Sequence, residues 1–74
     1  MNNAEQAYQT WLNQDKTLIE IAENLGGHIA LSDDLYTLVE MPDGSCVVDS
    51  ACSESTHSSV EAYLKILEEF DNSW

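Results

Sequence analysis

Apolar side chains recur at helical spacing over the first third of the chain: Ala4, Ala7, Tyr8, Trp11, Leu12, Leu18, Ile19, Ala22 and Leu25. Asn3 is the expected N-cap, and Gly26-Gly27 is a stop, with a glycine available for the left-handed position after the last turn. Asp15 sits where an uninterrupted apolar stripe would place a hydrophobe. The pattern therefore predicts either one kinked helix or two pieces, the second capped by Asp15 after a break at Asn13 to Asp15.

The spacing then shortens to that of strands. His28-Ile29-Ala30-Leu31 is a short first strand, and Ser32-Asp33-Asp34 is a turn cluster. From Leu35 to Met41 the residues alternate, with Leu35, Thr37, Val39 and Met41 on one face and Tyr36, Leu38 and Glu40 on the other. Pro42-Asp43-Gly44 is a hairpin turn, because proline presets φ and glycine accepts a positive one. Ser45 to Ser50 is the return strand. The Ser- and Thr-rich stretch from Ser50 to Ser59 reads as a polar connection. Ser58-Ser59-Val60-Glu61 has the form of a capping box, with Thr56 as a competing cap. Val60, Tyr63, Leu64, Leu67 and Phe70 form the apolar stripe of a last helix.

This order predicts a small single α+β domain over residues 1–74. A three-stranded antiparallel meander lies between helices, which pack on one sheet face. The same order occurs in double-stranded-RNA-binding domains, but the basic residues such domains need are missing here. Trp11, Tyr8, Tyr63 and Phe70 are expected in the core, while Trp74 is terminal and expected to be loose.

Charge changes this picture more than any other property. Fourteen acids stand against two lysines and no arginine, a formal net charge of −12. The hydrophobic fraction of 43% is that of a globular chain rather than an acidic disordered tail. Direct binding to nucleic acid or to an anionic membrane is disfavoured, because both require Lys and Arg opposite phosphates. No stretch approaches a membrane span. Met1-Asn2-Asn3-Ala4-Glu5 has neither the basic region nor the apolar run of a signal peptide. The cytoplasm, of a bacterium or of an infected cell, is the expected compartment.

The acids are spread over the fold, yet residues 26–52 contain five of them and neither lysine. Lys16 stands at helical spacing from Glu20, and Lys65 from Glu61, Glu68 and Glu69; such pairs contribute roughly 0.2–0.5 kcal/mol each. Asp33, Asp34, Glu40, Asp43 and Asp49 have no local cation. Glu68, Glu69 and Asp71 occupy the last turns of a helix, where the dipole disfavours an anion by about 0.3–1 kcal/mol. Asp33, Asp34, Glu40, Asp43, Glu68, Glu69 and Asp71 are accordingly the candidate partner-binding residues.

Other chemistry is weaker. His28, Cys46, Cys52 and His57 are four potential zinc ligands, but their spacing matches no common zinc motif, so no metal or cofactor is expected. Cys52 and His57 suggest a nucleophile and base, but acidic surroundings raise a thiol pKa, and so small a chain leaves little room for a pocket and an oxyanion hole. A Cys46–Cys52 disulfide is disfavoured in a reducing compartment. The expected function is non-enzymatic: an inhibitor or modulator that presents carboxylates to a positively charged, nucleic-acid-handling protein. Anti-restriction and anti-CRISPR proteins of phages and mobile elements share this profile as a class. The alternative is a protein-interaction module or homodimer with an apolar helix or sheet-edge interface, its acids serving solubility.

Overall fold

The computed structural model describes residues 1–51 and 53–72, the last two by their backbone alone. Two short helices come first, α1 (Asn3–Leu12) and α2 (Leu18–Asn24), so the two-piece alternative is the correct one. Asn2, not Asn3, caps α1. Its side-chain oxygen accepts the Glu5 N–H at 2.8 Å, and the Glu5 carboxylate accepts the Asn2 N–H at 3.2 Å. Thr17, not Asp15, caps α2 by accepting the Glu20 N–H. Gly26 follows Leu25 with φ 99°, as expected of the stop, and Gly27 then feeds the sheet.

The sheet is an antiparallel meander in the order β1 (His28–Ser32), β2 (Tyr36–Glu40), β3 (Cys46–Ser50) and β4 (Glu54–His57). Three strands were expected. The fourth comes from the stretch that reads as a polar connection, and it contains Thr56, the competing cap. A turn joins it to β3, with the Ser50 N–H donating to the Ser53 carbonyl at 3.0 Å. Glu54-Ser55-Thr56-His57 carries no apolar residue, so periodicity has nothing to register. Its two residues on one face satisfy each other instead, Ser55 Oγ lying 2.9 Å from His57 Nε2.

The last helix, α3 (Val60–Asn72), begins after Ser59, whose hydroxyl accepts the Ala62 N–H at 3.0 Å. The α+β class and the antiparallel meander are as the sequence implies, but the helices do not share one face. Val39, Met41 and Val47 pack with Ala4, Ala7, Leu18, Ile21 and Ala22 of α1 and α2. Leu38, Cys46 and Val48, which point the other way, pack with Tyr63 of α3. The reason is visible in Leu38-Val39 and Cys46-Val47-Val48: consecutive apolar residues on a strand bury both faces.

Tyr8 and Trp11 are half-buried against the first cluster, with ring centroids 5.5 Å apart. Phe70, expected in the core, is 64% exposed. Trp74 and Cys52 lie outside the described residues. No helix among the described residues is long and apolar enough to cross a membrane.

Candidate functional site

The seven candidate acids do not form one surface. The turns that begin and end β2 put Asp33 and Asp34 at one end of the sheet and Asp43 at the other, roughly 17 Å apart for a five-residue strand. Glu68 and Glu69 are exposed on the last turns of α3, which hold no base; the side chain of Asp71 lies outside the described residues. The helical pairings expected for the lysines are absent as well. Lys16 precedes α2 rather than lying in it, and the only contact within 4 Å between a basic and an acidic side chain among the described residues is His28–Glu40.

Asp43 has a structural task. Its carboxylate accepts the Asn3 N–H at 2.8 Å, the Ser45 N–H at 3.0 Å and the Ser45 hydroxyl. Its own N–H donates to the Asn3 side chain at 3.2 Å. Buried Ser45 completes the clamp by accepting the Ala4 N–H at 3.0 Å. The β2–β3 turn is thereby fastened to the start of α1. The Ser45 hydroxyl, then the N–H groups of Asn3 and Ser45, hold the Asp43 carboxyl below its ordinary value of 3.8. A carboxyl whose folded pKa is depressed stabilises above the unfolded value and loses that stabilisation as pH falls through the folded one. Asp43→Ala is therefore expected to melt several degrees lower than the parent at pH 7, and the gap should narrow as pH drops below 3.8. Thermal midpoints of both proteins across the acid range check this; a constant gap would show that the carboxylate charge is not what fastens the turn.

Glu40 is also engaged. The cross-strand register aligns His28, Glu40, Cys46 and His57 in one row across all four strands. Glu40 meets His28 Nε2 at 3.3 Å. Three of the four potential zinc ligands thus share a row that no sequence spacing reveals. They do not converge: among the described residues no group of three His, Cys, Asp or Glu is placed to hold a metal ion. Cys46 is buried with its thiol donating to the Ser59 carbonyl, and burial, then the Glu40 charge, push that thiol up to about 11. His57 packs at a tilt against Tyr63, with ring centroids 4.8 Å apart, and burial lowers its pKa. Cys46 so held is poorly suited to nucleophilic attack, which requires thiolate; the Cys52 of the Cys52–His57 pairing lies outside the described residues.

What remains is the sheet end at the β1–β2 turn. Asp33, Asp34 and Asp49, with Leu35, Tyr36 and Thr37 among their neighbours, line an open depression of about 310 Å³. The turn is closed by the Asp33 N–H donating to the Tyr36 carbonyl at 2.8 Å, while the Asp33 carboxylate accepts the Asp34 N–H at 2.6 Å. Asp49 lies directly opposite Glu54 in the β3–β4 register, an arrangement that destabilises a sheet when both residues are charged. No lysine lines the depression. Asp49 and Glu54 are the residues sequence reasoning missed as site candidates. Asp49 joins Asp33 and Asp34 only through strand register, and Glu54 faces it only once β4 is recognised. In comparisons with family models, curated proteins and solved structures, nothing matches this chain.

Proposed function

We propose that this protein is a non-enzymatic modulator that binds a positively charged, nucleic-acid-handling protein through the sheet end bearing Asp33, Asp34 and Asp49. The observation that supports this is a shallow, open depression lined by three carboxylates and no base. Beside it, the opposed Asp49 and Glu54 are left uncompensated at a cost to local stability. A lysine- or arginine-lined groove made to hold phosphates would supply the missing cations. The protein does not itself bind nucleic acid, given its net charge of −12. The reading implies a cytoplasmic setting and suits an inhibitor of phage or mobile-element origin.

Carboxylates at an open surface steer association and are screened by salt. Capture from a host lysate at low and high salt, followed by an affinity measurement on the recovered partner, tests the proposal. The triple variant Asp33→Lys, Asp34→Lys, Asp49→Lys should lose at least about ten-fold in affinity, ~1.4 kcal/mol. Asp43 is left untouched because it holds the fold. Salt-insensitive binding, or full binding by the triple variant, would sink the proposal. Those outcomes would favour the second reading, an apolar interaction module. That reading rests on Leu12, Leu35, Ile66 and Phe70, each more than half exposed.

A further inference from the structure

The two edges of the sheet are not equivalent. β4 is half-buried at all four positions and carries Glu54, whereas all five residues of β1 are exposed. Natural edge strands are commonly guarded by lysine, proline or an inward-pointing charge; His28-Ile29-Ala30-Leu31-Ser32 contains none of these. Its one irregularity is a bulge. The register runs Ile29 opposite Val39 and then Leu31 opposite Leu38, leaving Ala30 without a partner on β2. Since Val39 and Leu38 point to opposite faces, the bulge turns Ile29 and Leu31 to opposite faces as well. They remain 47% and 40% exposed. A strand laid along this edge would thus find one large apolar side chain on each face. The strand leads directly into Asp33 and Asp34 and the carboxylate-lined depression.

We infer that β1 is a docking edge that accepts an extended segment of the basic partner, one in which apolar and Lys or Arg residues alternate. The inference rests on the function proposed above and supplies its mode of contact. Main-chain hydrogen bonds to β1 provide the ladder, and the alternate side chains provide selectivity. The apolar set covers Leu31 on the Leu38 face, and the basic set lies on the opposite face, where its aliphatic stems cross Ile29 and its charges reach Asp33, Asp34 and Asp49. A second copy of this chain is the poorer occupant: it brings another charge of −12 and the same uncompensated acids. The bulge shortens the ladder available, so charge must carry a large share of the affinity.

The probe is an end-blocked eight-residue peptide alternating lysine and valine, titrated at low ionic strength into the isotopically labelled protein. Its control has the same sequence with alternate backbone nitrogens methylated, which keeps charge and side chains but removes ladder donors from one edge. The expected result is that amide signals of residues 28–32 shift and gain protection, and that the methylated peptide binds at least ten-fold more weakly, about 1.4 kcal/mol. Equal binding of the two peptides, with shifts confined to Asp33, Asp34 and Asp49, would overturn the edge while leaving the acidic-surface function standing. If neither peptide binds, the acidic-surface function fails as well. Dimerisation of the free protein through residues 28–32 would show that the wrong occupant has been assigned.

Discussion

Gly27→Ala is expected to destabilise the protein by ~3 kcal/mol or more, the upper end of what overpacking a core costs. A β-carbon there would lie 2.7 Å from Val39 Cγ1, 2.8 Å from Met41 Sδ and 2.9 Å from the Ala22 carbonyl oxygen. None of the three can give way easily. Val39 and Met41 are fully buried between the sheet and α2, and the Ala22 carbonyl accepts the Gly27 N–H at 2.9 Å. Moving that oxygen would release the hydrogen bond that ends α2. Gly44→Ala is the comparison, because its β-carbon would meet nothing within 4 Å and only its φ of 93° is unsuited to a side chain, whereas at Gly27 the obstacle is contact alone. That change should cost only ~1–2 kcal/mol. Urea unfolding of both variants measures the difference; equal midpoints would mean that the helix-to-sheet passage is not as tight as described.

The second large effect is Leu38→Ala, expected to cost ~2–5 kcal/mol as a fully buried leucine truncation. A chain of this length has a total stability of about 4–11 kcal/mol, so one substitution removes a large part of it. Leu38 is wholly buried on the α3 face, among Cys46, Val48 and Tyr63. Ile66→Ala on α3, where the side chain is 51% exposed, should stay within about 0.5 kcal/mol of the parent. Denaturant midpoints separate the two. Similar values would show that the second cluster is not a packed core.

These contrasts indicate what could be read in advance and what could not. The helix break before Thr17, the Gly26 stop, the Pro42–Gly44 turn and the alternation along β2 are local, and local pattern announces them. The division of helices between two faces was also written in the chain, in Cys46-Val47-Val48, where three adjacent buried residues leave no solvent face. Packing every helix on one sheet face leaves either Val47 or Cys46 and Val48 without cover. β4 was not legible, because Ser55 and His57 are held by each other rather than by an apolar pattern. The site behaved in the same way. Asp33 and Asp34 could be picked out as unpartnered acids, but nothing in sequence separates them from Asp43, whose oxygens are filled by Asn3 and Ser45. Asp49 depends on long-range register, which composition does not encode.

The unequal cover of the sheet has a consequence for how the molecule opens. α1 reaches β3 and β4 while α2 touches β1, β2 and β3, whereas α3 has its backbone nearest β4 and buries one residue, Tyr63, against Leu38, Cys46 and Val48. Leu64 and Ile66 of α3 remain 43% and 51% exposed. The carboxyl-terminal helix is therefore expected to detach first, in a sub-global fluctuation that leaves the first cluster and the ladder intact. Each such excursion bares Leu38 and Val48 and frees the Cys46 thiol from the Ser59 carbonyl. Limited proteolysis is accordingly expected to cut within α3 before it reaches the α1–α2 side of the sheet.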